Sequence, residues 1–239
     1  MDAVVRMFDV LSDRTTPELQ RLLVERALRR VEREVAPFGL PPYADSSPLN
    51  PIVSGRKLHV GSGANHIQGW TNVDLGPPAD VICDIRAGLP FPEGSCDLVF
   101  SEHFLEHVDY DLAARSVVSE MFRVLESRGE VVIGVPDAEA VVRAYAFGST
   151  QVMNELRERW YLSRDASKYS SDFDLVNLVF SDEYSSPKYH PHHWAYSFRS
   201  LSILMEGVGF RSIEALSERP AYSNPERSFC TLYVRGVKP

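Results

Sequence analysis

The sequence predicts an α/β protein built on a doubly wound, mainly parallel sheet of seven strands. An N-terminal helical extension precedes the sheet and a helical insert interrupts it. Three observations predict this. Short β-branched runs recur along the chain, most of them closing on Gly, Asp or Ser. Helical periodicity fills the space between the fourth and fifth of these runs. The residues with chemistry cluster at the C-terminal ends of the runs, where parallel sheets keep their sites. The composition agrees, since 239 residues with 44% apolar and 24% charged side chains exclude a disordered or low-complexity chain.

Residues 1–50 read as the extension and its linker. Over residues 16–35, Thr16 suits an N-cap and Pro17 the first helical position, and Leu19, Leu22, Leu23, Leu28, Val31 and Val35 recur at helical spacing. The proline-rich stretch PFGLPPYADSSPLNP then excludes both helix and central strand. Arg and Glu interleave in LLVERALRRVERE, the pattern of a solvated face.

The α/β domain occupies residues 51–239. Its strands are expected at KLHVGSG, TNVDL, ADVICDI, CDLVFSE and GEVVIGVPD, then at RSIEAL and SFCTLYVRG. A helix is expected over YDLAARSVVSEMFRVLE, with Leu112, Val117, Met121, Val124 and Leu125 on its apolar side, and another over SFRSLSILMEGVGF. Residues 138–192 form the insert, with helices near 138–147 and 151–162 and no clear strand. Its aromatics Tyr145, Trp160, Tyr161, Tyr184 and Tyr189 suit a small local core better than a substrate lid.

Acidic residues outnumber basic ones by 33 to 25, a net charge of -8, which disfavours nucleic acid and anionic membranes as partners. Cys83, Cys96 and Cys230 are too few and too scattered for a disulfide framework. With no signal-like start and no apolar run of spanning length, a cytoplasmic location is expected.

The densest chemistry lies in LHVGSGANHIQGWTNVDL. Gly61-Ser62-Gly63 lets the backbone approach a ligand closely after a buried strand. Asp74 ends the next strand, where a carboxylate can accept from ribose hydroxyls. Asp84 ends the one after. A dinucleotide site is disfavoured, because His66 stands where a third glycine belongs and Asp74 follows too soon. Residues 64–70 are also too few for a crossover helix, so a short turn must replace it.

In order, KLHVGSG, GWTNVD, ADVICDI, LPFPEGSCDLVFSEHFLEHV, EMFRVLESRGEVVIGVPD and HHWAYSFRSLSILMEGVGF resemble class I S-adenosylmethionine-dependent methyltransferases, whose fold is Rossmann-like. The likeness is to a type 11-like branch with a short glycine loop. It implies S-adenosylmethionine as cofactor and a small-molecule or saccharide-type acceptor, methylated on oxygen or nitrogen. It places Gly61, Ser62 and Gly63 under the methionine part, Asp74 on the ribose and Leu75 against the adenine. It puts Asp84 and Ile85 at the adenine edge, and Ser101, Glu102 and His103 beside the sulfonium. His59 and Asn65 depart from the family pattern, which usually has an acidic residue and a glycine there. Those departures leave open a catalytically silent binding module of the same fold.

A hydroxyl or amine acceptor must lose a proton, and a histidine near neutral pKa suits that task. His103 and His107 are the candidates, ahead of His190, His192 and His193. His103-Phe-Leu-Glu106-His107 also matches H-x-x-E-H, a zinc-hydrolase motif that needs its histidines on one helical face. The surrounding strand–loop pattern disfavours that reading. The run YHPHHWAY lacks carboxylates of its own, so no metal ligand is assigned. His192 and Trp194 are expected to pack where the insert returns to the fold.

Overall fold

The computed structural model describes residues 57–161, 169–181 and 191–239. The expected helix over 16–35 and its linker, together with Tyr184, Tyr189 and His190, lie outside the described residues. Seven strands form one sheet: β1 Lys57–Val60, β2 Thr71–Asp74, β3 Val81–Ile82, β4 Cys96–Glu102, β5 Leu125–Pro136, β6 Arg211–Ala215 and β7 Thr231–Val237. Their order is β3-β2-β1-β4-β5-β7-β6, and β7 alone runs antiparallel to its neighbours. From β1 the chain winds outward to β2 and β3, then returns beside β1 as β4 and winds the other way. The C-terminal ends of β1 and β4 therefore flank the point where ligands bind in such sheets.

On one face, α1 Arg115–Val124 and α5 Phe198–Val208 cover Val60, Val99, Val131 and Ile133, all fully buried. The stripe Val117, Val118, Met121 and Val124 fixes how α1 lies, and each such side chain contributes about 1.5–3 kcal/mol by leaving water. Ser197 starts α5 with a capping box to Ser200. The other face carries Phe100, Val132 and Tyr233, with Trp70 and Tyr222 packed against them.

Leu112, expected on the apolar side of the helix, is 79% exposed. Before α1 the chain makes a π turn over Tyr110–Ala114, where Ala113 and Ala114 both donate to the Asp109 carbonyl. That extra residue in the turn shifts the phase of everything before it and swings Leu112 outward. Leu125, read as helical, is the first residue of β5.

Residues 138–192 hold α2 Ala138–Ala146, α3 Thr150–Trp160 and α4 Asp172–Phe180, which bury Val141, Met153, Leu156, Leu175 and Val179 in a core of their own. Tyr161 belongs to that core while Tyr145 is 43% exposed outside it. Among the described residues the insert has no strand, and no helix is long and apolar enough to cross a membrane.

Candidate functional site

Gly61 and Gly63 follow β1 with φ of 71° and 51°, in the left-handed region that other residues enter only at a cost. A Cβ on Gly61 would stand 2.2 Å from Cγ of Phe104, in the turn after β4, so the two turns meet here only because Gly61 has no side chain. Nothing lies within 4 Å of the corresponding position on Gly63. The turn is tied to β2: the Gly61 and Ser62 amides donate to the Val73 carbonyl at 2.9 and 3.2 Å. The Asp74 carboxylate accepts the Gly63 N–H at 2.7 Å and the Leu75 N–H at 2.6 Å.

The β1–β2 connection contains no helix, and Asn72 takes the place of one. Its side chain is fully buried. Its Oδ1 accepts the Ile67 N–H at 2.8 Å and a hydrogen bond from His59 Nδ1 at 3.2 Å. Its Nδ2 donates to the Ile67 and Trp70 carbonyls and to Asp80 Oδ2. One amide thus satisfies backbone groups that a crossover helix would otherwise pair among themselves. His59, at the position where the family carries an acid, stacks on Phe100 with ring centroids 5.2 Å apart. Its burial holds the imidazole pKa down to about 4. Asn72 was missed in the sequence, although it lies within the run GWTNVD that carried the family resemblance.

The remaining expected cofactor residues fall in different surroundings. Asp84 caps the short turn Ile85–Ala87 and is clasped by Arg86, whose Nε and Nη2 donate at 2.9 and 2.8 Å. Ile85 is buried in the main core. Cys83 lies between the two acids, and burial raises its thiol to about 11. Neighbouring strand residues point to opposite faces, which separates Ser101 from Glu102. Ser101 is buried and its hydroxyl lacks a hydrogen-bond partner, as does that of Ser62. Glu102 turns toward β7, where Oε1 accepts from the Tyr233 hydroxyl at 2.7 Å and Oε2 from the Asn224 N–H at 3.2 Å. Desolvation still raises its pKa.

Beyond β4, His103 adopts a left-handed backbone with φ 52°, and Leu105–His107 form one 3-10 turn. His103 and His107 therefore do not share a helical face, and the zinc-hydrolase geometry is not formed. His103 Nε2 meets Thr231 Oγ1 at 2.8 Å, and that hydroxyl donates to the Arg227 carbonyl. The Thr231 proton is thereby committed, so His103 Nε2 carries the hydrogen and Nδ1 the lone pair. Burial pushes the His103 pKa down to about 3. Trp160 of the insert stands edge-on to its ring at 5.3 Å.

Glu106 is 1% exposed, and neither carboxyl oxygen has a hydrogen-bond partner. Desolvation lifts its pKa to about 8. His103 Nδ1 is 3.4 Å and His107 Nε2 3.9 Å from its Oε1. The return segment of the insert is pinned here, because the His193 and Trp194 amides donate to the Glu106 carbonyl at 2.7 and 3.3 Å. This brings the His192 ring to 4.8 Å from that of His107 and stacks Trp194 on Tyr110.

A mainly parallel seven-stranded sheet with one antiparallel strand beside β5, and a glycine turn and acid ending its first two strands, is the class I S-adenosylmethionine-dependent methyltransferase fold. Residues 61–133 match the family described as "Methyltransferase domain", the span from the glycine turn through most of β5. No curated protein matches the chain. Among solved structures, an S-adenosylmethionine-dependent methyltransferase from Methanosarcina mazei is similar at 16% identity and a TM-score of 0.47, over 80% of this chain and 98% of that one. One from Thermotoga maritima is similar at 16% identity and a TM-score of 0.42, over 90% and 98%.

Proposed function

We propose that this protein transfers the methyl group of S-adenosylmethionine to an oxygen or nitrogen of a small-molecule or saccharide-type acceptor. The observation that carries the reading is the closure of the Gly61–Gly63 turn by Asp74 at the switch point of the sheet. The residues fit such a cofactor: the face of Gly63 is open, and the buried Ser62 and Ser101 hydroxyls lack partners. Gly61, Ser62 and Gly63 would hold its methionine part. Asp74 has acceptor capacity beyond the two amides it serves and would take the ribose, with Leu75 against the adenine. Asp84 and Ile85 would flank the adenine edge and Ser101 would support the floor, whereas Glu102, expected beside it, is turned to the other face and held by Tyr233 and Asn224.

When bound, the cofactor supplies a methyl group on a sulfonium that is already activated. The chain's own residues orient the acceptor, exclude water and accept its proton. Of the two histidine candidates, His107 is the better placed, with a side chain 20% exposed against 14% for His103. His103 is also depressed too far to hold a proton near neutrality. Trp160 and His192 give the acceptor side an aromatic wall.

One feature favours the silent-module reading: Arg86 already occupies the Asp84 carboxylate. Calorimetric titration with S-adenosylmethionine and with S-adenosylhomocysteine decides between the two. Binding that is lost in Asp74→Ala supports the enzyme; no binding at millimolar ligand overturns it.

A further inference from the structure

We propose that Glu106, His107 and His192 form a binding site for one divalent transition-metal cation of the zinc type. Their ligand atoms, a carboxylate oxygen and two imidazole nitrogens, all lie within 4.8 Å of one another. The sequence offered the histidines of YHPHHWAY without a carboxylate, and the turn after β4 supplies it from 86 positions away.

Each imidazole is set in the tautomer a ligand needs. His107 Nδ1 faces the Pro191 carbonyl at 3.3 Å and His192 Nδ1 the Val179 carbonyl at 2.9 Å. A carbonyl only accepts, so both Nδ1 atoms carry hydrogen and both lone pairs reside on Nε2. Ligating histidines usually show this arrangement, with the far N–H held by a backbone oxygen that fixes the ring. His107 Nε2 is the atom that stands 3.9 Å from Glu106 Oε1.

Glu106 is the second, independent observation. A carboxyl that is 1% exposed, with both oxygens lacking a hydrogen-bond partner, is costly unless something compensates it. A cation between it and the two imidazoles removes that cost. The backbone holds the trio in place, because the amides of His193 and Trp194 close on the Glu106 carbonyl. His103 Nδ1 stands 3.4 Å from Oε1 of the same carboxyl with its lone pair toward it, so that contact gives the ionised carboxylate no compensation either.

Two imidazoles and one carboxylate suit zinc or a neighbouring transition metal, whereas magnesium and calcium prefer all-oxygen shells. Ligand atoms about 2.0–2.1 Å from zinc stand about 3.4 Å apart in a tetrahedron, so the trio must draw in by about 0.5 to 1.4 Å. Three protein ligands leave a position open. Cation binding stands independently of cofactor binding. A bound cation takes the one His107 lone pair, so His107 then serves as ligand in place of base, and the use of the open position for an acceptor oxygen rests on the methyl-transfer reading.

The test is titration of chelator-stripped full-length protein with zinc, manganese and magnesium separately, each followed by calorimetry. The expected result is one equivalent of zinc, with magnesium at least about tenfold weaker. Glu106→Gln and His192→Ala should each weaken zinc at least tenfold while S-adenosylhomocysteine still binds. Equal zinc binding in the doubly substituted protein overturns the site, because the metal then sits elsewhere. Cobalt titration of the unsubstituted protein needs no variant: visible bands of a four- or five-coordinate ion support the site, and a purely hexaaqua spectrum overturns it. S-adenosylhomocysteine binding without metal binding removes the metal site alone, and the converse removes the methyl-transfer reading alone.

Discussion

Asp74 accepts the Gly63 N–H at 2.7 Å, so the carboxylate that ends β2 also closes the glycine turn that ends β1. Ligand contact and loop shape are joined in one side chain. Asp74→Ala should lower S-adenosylmethionine affinity about 10- to 100-fold, the range for losing hydrogen bonds to a charged group. Asp74→Asn should fall between the two, because its amide keeps one acceptor oxygen. Calorimetry on all three proteins measures the ordering.

Gly61 and Gly63 should respond differently to alanine. At Gly61 the new methyl meets the Phe104 ring at 2.2 Å on a backbone already at φ 71°, so Gly61→Ala should lower the melting temperature sharply. Gly63→Ala meets nothing within 4 Å and carries only the left-handed strain, about 1–2 kcal/mol. It should fold and yet lose cofactor affinity, because its open face is where the ligand belongs. Thermal melts beside binding curves separate the two effects.

Asn72→Ala should be among the most damaging substitutions outside the main core. It strands the part-buried Ile67 N–H and removes the donor to the Ile67 and Trp70 carbonyls. At about 1–3 kcal/mol for each unsatisfied group, a loss of about 3 kcal/mol or more is expected in chemical denaturation. Asn72→Asp should do no better, since a second oxygen would face those carbonyls.

His59 predicts a pH dependence. Its folded pKa is about 4, below the unfolded value of 6.5, so the unfolded chain binds the proton first. Its contribution is complete above pH 6.5 and is lost as the pH falls toward 4, by up to about 3 kcal/mol. His59→Phe keeps a ring on Phe100 and should flatten that slope. Denaturation midpoints from pH 7 to 4 give the comparison.

The runs that became β1 to β5 were legible because their β-branched residues close on a turn residue, and those of β6 and β7 because apolar and polar residues alternate; the four residues by which β5 starts before Gly129 were not. The direction of β7 was not, since strand polarity is set by partners and leaves no local mark. Helix α4 was missed because the exposed Phe173 and Phe180 flank its buried face of Leu175, Val176, Leu178 and Val179, so the stretch reads as one short apolar run rather than as an amphipathic helix. Its one local signal was the Ser171-x-x-Asp174 capping box. Gly61, Gly63 and Asp74 were readable as a spacing. The opposite facing of Ser101 and Glu102 follows from strand alternation once β4 is placed, but the Tyr233 partner of Glu102 lies 131 positions away. The carboxylate that completes the histidine cluster was hidden for the same reason.

The Asn72 side chain also sets a gauge. Its amide measures from β2 back to Ile67 and Trp70, and Asp74 measures back to Gly63, so the ten residues between β1 and β2 are held at fixed count. Surface connections elsewhere can absorb an added residue at little entropic cost. Here one insertion would slip Ile67 out of reach of Asn72 or Gly63 out of reach of Asp74. Length variation among chains of this design should therefore gather in the insert and spare the buckle between β1 and β2.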